Sequence, residues 1–216
     1  MNEVDQPTLI AIAGGIGSGK SVVCHILEAM GYAVYDCDSR AKQIMDSDRS
    51  MKLRIAEEVC ADAIQMQDTD NPVIDRKILA KTVFGNDCAR MKLNAIVHEA
   101  VKCDIRFWAT LHSEGKNSAR PLFIETAILR ESGLDKMVDE VWVVTAPAEI
   151  RIMRAMQRDN ASRSDIEARV HAQNPHSVPL QQATADGNCS PRLEEIRNDG
   201  NTSVLSRILT LLDRTR

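Results

Sequence analysis

The chain has 216 residues, with 27 Lys and Arg against 31 Asp and Glu, a formal net charge of −4 and 44% hydrophobic residues. That length supports one domain with a substantial core and room for an inserted lobe, and argues against two independent domains. The acidic balance, with a pI near 5.8, excludes a broad phosphate-backbone or membrane-surface footprint, which needs clustered positive charge, so neither nucleic acid nor a membrane is expected as a partner.

The first apolar run, Leu9 to Ala13, suits a buried parallel strand, and Val22, Val23, Ile26, Leu27 and Met30 then recur at helical spacing. Between them Gly14-Gly15-Ile16-Gly17-Ser18-Gly19-Lys20-Ser21 fits G-x-x-x-x-G-K-[ST] in the strand–loop–helix setting that motif needs. A Gly-rich backbone there lets successive N–H groups surround a polyphosphate at a helix start that already favours anions. Lys20 is expected to reach the outer phosphates of a nucleoside triphosphate and the Ser21 hydroxyl to hold Mg²⁺, the competing reading being a Gly-rich structural turn.

Gly31 is placed as a helix C-cap, and Ala33-Val34-Tyr35 reads as a second strand leading into Asp36-Cys37-Asp38. From Ser39 to about Thr110 the pattern is almost wholly helical, which predicts a helical lobe over residues 39–110 inserted between strands. Strands resume at 121–125 and 140–144, so strands alternate with helices and a parallel sheet covered on both faces is expected. A helix over 148–158 carries Arg151, Arg154 and Arg158 on one face, and Ser164-Asp165-Ile166-Glu167 reads as the capping box of the next. Residues 174–191 read as loop and 202–212 as a terminal helix. Six cysteines, at 24, 37, 60, 88, 103 and 189, form no C-x-x-C pair and no metal-like group with the histidines, which suits free thiols in a reducing compartment. The first eight residues lack a cationic leader, and no apolar stretch approaches the roughly 18 residues of a membrane helix. A cytoplasmic protein, monomeric or weakly homo-oligomeric, is expected.

Chemistry gathers at strand ends. Asp36 and Asp38 lie two residues apart, so continued strand geometry would put both carboxylates on one face, where one could accept a hydroxyl proton and the other stand near Mg²⁺. A turn or helix cap is the competing reading of the same pair. Glu125 ends its strand either as a support for Mg²⁺ or as a solvent-facing residue. Arg151, Arg154 and Arg158, followed by Arg163, form a stripe that either closes over phosphates as a lid or is simply solvated. His98 falls on a helix with an apolar face and, on spacing alone, belongs to packing or surface.

Taken together these residues resemble dephospho-CoA kinase over nearly the whole chain. The resemblance is carried by the loop from Gly14 to Ser21, the Asp36-x-Asp38 pair followed by Ala41, and Ile74-Asp75-Arg76. Leu93-Asn94-Ala95-Ile96-Val97-His98, Arg154-Ala155-Met156-Gln157-Arg158-Asp159 with Ser162-Arg163, and Asn198-Asp199-Gly200 continue it. It implies an α/β P-loop kinase, a three-layer sandwich with a parallel sheet of about five strands in a single domain over 1–216, with a lid at about 151–170. It implies ATP-dependent phosphorylation of the ribose 3′-hydroxyl of dephospho-CoA, with Asp38, Lys20 and Arg158 catalytic. Gly15, Ile16, Gly17, Ser18, Gly19, Lys20, Ser21, Val22, Arg154, Arg163 and Asn198 would bind ATP, and Ser21 the Mg²⁺. Asp36, Asp38, His98 and Glu125 would meet the substrate, and the helical lobe would bind the CoA moiety. Val22 stands where the family usually has Thr, Glu99 where Pro commonly follows the His, and Glu125 where Asp is frequent.

Two other readings share parts of this pattern. Another small-metabolite or nucleoside-monophosphate-type P-loop kinase would have a similar Asp-x-Asp region with a different acceptor. A guanine-nucleotide switch is disfavoured, because the chain contains neither Asn-Lys-x-Asp nor Asp-x-x-Gly.

Overall fold

The structure, a computed structural model, describes residues 7–66, 69–113, 120–173 and 191–215. The expected loop over 174–191 falls almost wholly outside the described residues, as does Cys189. In chain order the elements are β1 (Leu9–Ala13), α1 (Lys20–Ala29), β2 (Val34–Asp36), α2 (Cys37–Ser47), α3 (Arg49–Glu58), β3 (Ile64–Gln65), β4 (Val73–Ile74), α4 (Arg76–Phe84) and α5 (Asp87–Ser113). After these come β5 (Leu122–Glu125), β6 (Glu140–Thr145), α6 (Ala148–Asp159), α7 (Arg163–Ala172), β7 (Arg192–Arg197) and α8 (Val204–Leu212). They form two compact units, Met1–Asp36 with Ala109–Arg216, and Cys37–Trp108.

The first unit is built on a five-stranded sheet of order β2-β5-β1-β6-β7. Every pairing in it is parallel, so the C-terminal ends of all five strands share one edge. Ile10 to Ala13, Leu122 to Ile124 and Val141 to Val144 are all buried, so the central strands are covered on both faces and read as unbroken apolar runs. One face packs Ile10, Ile12, Phe123, Trp142 and Val144 against Val23 and Leu27 of α1 and Ile208, Leu211 and Leu212 of α8. The chain turns back after α1 with Gly31 N–H donating to Glu28 C=O at 2.9 Å and Tyr32 N–H to Leu27 C=O at 3.0 Å, the paired bonds of a Schellman ending, so Gly31 sits just beyond the cap rather than on it. Because β1 lies between strands reached by crossovers in opposite directions, its C-terminal end is the topological switch point of the sheet, where α/β folds bind ligands.

The second unit is not wholly helical. A small antiparallel pair, β3 with β4, interrupts it and pairs Ile64 with Ile74. Asp75 then caps α4, accepting from the N–H groups of Lys77 and Ile78. The core of this unit is Met51, Ile55, Ala56, Ala63, Ile64, Leu79 and Ile96.

Two local readings are corrected. The cap that starts α7 lies two residues earlier than expected, because Ser162 is the N-cap and its side chain accepts from Asp165 N–H, while Ser164 is already inside the helix. Strand geometry also stops at Asp36, and Cys37 begins α2, so Asp38 sits in the first turn of a helix and the period-2 argument that put both carboxylates on one face does not apply. Asp36 is the last residue of β2 to find a register partner, Glu125, and Asp38 is stabilised by the positive end of its helix.

Candidate active site

The loop between β1 and α1 is shaped by its glycines. Gly17 and Gly19 have φ of 72° and 97°, a backbone region that side chains disfavour. A Cβ on Gly17 would run into the Arg151 carbonyl, and one on Gly19 into the Asn198 side-chain amide, so sterics and conformation demand glycine twice over. Ser18 N–H donates to Gly15 C=O at 3.1 Å and tightens the turn, and Lys20 Nζ reaches back to Gly14 C=O at 2.9 Å. A cavity of about 250 Å³ opens over the loop, lined by Gly15, Gly17, Gly19, Lys20, Ser21 and Val22 from one side and by Glu125, Arg154, Ala155 and Arg158 from the other. Of the residues read from the sequence as nucleotide ligands, this cavity therefore gathers the three loop glycines, Lys20, Ser21, Val22 and Arg154, together with Arg158 and Glu125.

Four candidates sit elsewhere. Ile16 packs its side chain against Ile152, Ala155 and Ile166, and its N–H donates to Gln173 Oε1 at 2.8 Å. Ser18 is buried, and its hydroxyl has no hydrogen-bond partner among the described residues. Asn198 is a strut: its Nδ2 donates to Ser18 C=O at 2.9 Å, while its own C=O and Oδ1 accept from Arg154 at 3.1 and 3.3 Å. Arg163 bridges Glu149 and Glu167 at 2.8 and 2.7 Å on the surface of α6 and α7.

The arginine stripe of α6 divides its labour along the helix. Arg151, grouped with the phosphate clamp by spacing, instead donates Nε–H to Ile16 C=O at 2.9 Å, since the first turn of α6 abuts the back of the loop. Arg158 lines the cavity with its guanidinium on Asp159 at 2.7 Å, and Asp159 also accepts from Arg169 of α7 at 3.0 Å. The Arg158 hydrogen bond is the main reason the Asp159 carboxyl lies below its ordinary range.

At the sheet edge, Asp36 and Glu125 are register partners on adjacent parallel strands, which brings two carboxylate-bearing positions to one side of the loop. Cys24, one turn along α1 from Lys20, faces Glu125. Burial first, then the Glu125 charge and a hydrogen bond to it, push the Cys24 thiol far up, so it stays protonated and serves the carboxylate as a donor. Sequence reasoning read Cys24 as a free thiol, and its i+4 spacing from Lys20 was the one hint of more. In the second unit Asp38 is exposed in the first turn of α2, and His98 is half-buried on α5. Arg40 of α2 holds Asp104 of α5 by three bonds of 2.7 to 3.0 Å, a pair no motif pointed to.

The family model for dephospho-CoA kinase matches residues 8–186. A Bacteroides fragilis dephospho-CoA kinase is 34% identical over 203 residues, 94% of this chain and 90% of that protein. A Moorella thermoacetica dephospho-CoA kinase is 36% identical over 82% of this chain and 81% of its own length. Among solved structures, a Thermus thermophilus protein aligns with a TM-score of 0.73 at 29% identity, over 97% of this chain and 98% of that one. A dephospho-CoA kinase from Campylobacter jejuni aligns at 0.61 with 20% identity over 95% and 96%, a likeness of fold. With its phosphate loop at the switch point of a five-stranded parallel sheet and a match running through almost its full length, the chain belongs to the dephospho-CoA kinase family, ATP-using transferases of P-loop kinase fold.

Proposed function

We propose that this chain transfers the terminal phosphoryl group of ATP to the ribose 3′-hydroxyl of dephospho-CoA, giving ADP and CoA, the last step of CoA biosynthesis. The observation that carries the reading is the cavity in which the loop glycines, Lys20 and Ser21 face Glu125, Arg154 and Arg158. Phosphoryl transfer needs positioning and charge stabilisation more than covalent chemistry, and this set supplies both. Lys20 leaves Gly14 C=O to meet the β- and γ-phosphates beside the loop amides. Arg158 exchanges Asp159 for the transferred group, where a preorganised cation counts most. Arg154, already tied to Asn198, orients the nucleotide.

Asp38, two residues beyond β2, takes the proton of the acceptor hydroxyl as its oxygen bonds to phosphorus and the bond to ADP breaks. Asp36, Glu125 and His98 contact the acceptor, residues 39–110 bind the CoA moiety, and 151–170 act as a lid. Ser21, Asp36 and Glu125 are hard oxygen donors suited to Mg²⁺, which takes few protein ligands and keeps phosphate and water oxygens for the rest. Mg²⁺ held there would supply positive charge to offset the negative charge of the nucleotide phosphates. The acidic balance speaks against nucleic-acid and membrane-surface partners and the free thiols suit a reducing compartment, so the chain is placed in the cytoplasm, as a monomer or weak homo-oligomer.

ADP release measured with dephospho-CoA, nucleoside monophosphates and sugars as acceptors tests this. Dephospho-CoA alone should raise ADP release above the acceptor-free rate. Faster turnover of a nucleoside monophosphate would replace this reading with the other small-metabolite kinase.

A further inference from the structure

We infer that Arg151 is a positioning residue for nucleotide binding, fixing the Ile16–Gly17 peptide and holding an uncompensated positive charge behind the phosphate loop. Its Nε–H donates to Ile16 C=O at 2.9 Å. In a trans peptide the C=O and the following N–H point in opposite directions, so holding the Ile16 carbonyl backward aims the Gly17 N–H forward. Gly17 lines the cavity over the loop and Arg151 does not, so Arg151 acts on a ligand there through the peptide and through its field. Contact on the back is close: a Cβ on Gly15 would collide with the Arg151 guanidinium, and one on Gly17 with its carbonyl.

The charge is the second half of the inference. Three other arginines of the α6–α7 pair have carboxylate partners, Arg158 and Arg169 on Asp159 and Arg163 on Glu149 and Glu167, while Arg154 is held by Asn198. Arg151 has no ion pair among the described residues, and burial pushes its guanidinium below the usual range. A half-buried cation without a counter-charge costs stability until an anion arrives, and the anion this loop is shaped for is a polyphosphate. A second cavity, about 230 Å³, lies on the Arg151 side and is also lined by Gly14, Ser18 and Thr145. Water and salt reach the guanidinium through it, so its field at the loop is partly screened and depends on ionic strength.

The inference rests on the loop binding ATP, so wild-type titration with Mg-ATP comes first; a wild type that fails to bind overturns that reading and this one with it. Given wild-type binding, three variants separate the roles. Arg151→Met removes donor and charge, Arg151→Gln keeps a donor, and Arg151→Lys keeps the charge. Arg151→Met should raise the ATP Kd and KM about tenfold, the scale of one charge-assisted hydrogen bond. Its kcat and dephospho-CoA KM should stay within about twofold, because the interaction is with the donor nucleotide in ground and transition states alike. Arg151→Gln should recover part of the affinity but show a shallower dependence of ATP Kd on salt, while Arg151→Lys keeps the wild-type slope. A folded Arg151→Met with wild-type ATP affinity contradicts the inference. So does a set of variants in which both KM values and kcat worsen together in step with a falling Tm, and so does an identical salt slope in Gln and Lys.

Discussion

The two units hold their candidate residues by different means. Around the phosphate loop, positions are set by backbone: two glycines with positive φ, carbonyls of Gly14, Ile16 and Ser18 each tied to a side chain, and strand ends that parallel pairing brings to one edge. In the helical unit, Asp38 is exposed and His98 half-buried on their helices; ion pairs such as Arg54 on Glu58 and Glu99 and Arg76 on Asp46 are exposed, while Arg40 on Asp104 is partly buried. Exposed pairs of that kind contribute about 0–1 kcal/mol each. The contrast teaches that substitutions at the loop disturb a preorganised scaffold as well as a contact, whereas a substitution at exposed Asp38 removes chiefly the contact.

The comparison is broken most sharply at Asp38. Asp38→Asn should lower kcat by about 10²–10⁴-fold, the usual worth of a general base, with only a small drop in melting temperature from the lost helix-end charge and a nearly unchanged ATP KM. Should Asp36→Asn prove the more damaging to kcat and Asp38→Asn mild, the two carboxylates have their roles exchanged. Lys20→Ala comes next, with a loss of about 10²-fold or more, and circular dichroism should find it folded because the side chain contributes charge and little packing. Near-normal turnover in folded Lys20→Ala removes the loop from the chemistry.

How much of this was legible in the sequence follows the same divide. The loop, the central strands and the arginines at 154 and 158 announced themselves because their signals are local: glycine spacing, unbroken apolar runs and helical periodicity. Asp38 was misplaced because a period-2 argument needs the strand to continue, and where a strand hands over to a helix is decided by pairing with β5, far away in sequence. Arg151 was grouped with its neighbours because i, i+3, i+7 spacing reports a shared helix face but not what each turn abuts. The Cys24–Glu125 contact and the Asn198 strut join residues about 100 and 180 positions apart, a distance no motif spans.

A smaller effect sharpens the comparison from the helical side. His98→Ala should raise the dephospho-CoA KM about five- to tenfold, the scale of one hydrogen bond, leaving the ATP KM alone. If both KM values and the melting temperature shift together, His98 is a packing residue.

The smallest expected effect tests the scaffold itself. Glu140 is buried at the start of β6, and burial raises its carboxyl above the ordinary range, with Arg192 opposing. The folded state then binds the proton more readily than the unfolded one, so this group's contribution is most favourable below the ordinary Glu range and is lost as pH rises through the window up to the raised value. Glu140→Gln should therefore melt about 1–3 °C higher than wild type at pH 7, and the gap should close near pH 4. A lower Tm for Glu140→Gln at pH 7 means that the ionised form is the one the fold prefers.

The central claim, transfer to one particular hydroxyl, is tested most directly by determining where the phosphate sits in the product formed from ATP and dephospho-CoA, by mass spectrometry and ³¹P–¹H NMR. The account predicts a single new phosphomonoester coupled to the ribose 3′ proton, formed with one equivalent of ADP and about 10²-fold more slowly with Lys20→Ala. A phosphate on any other oxygen, or ADP released with no phosphorylated acceptor, contradicts it.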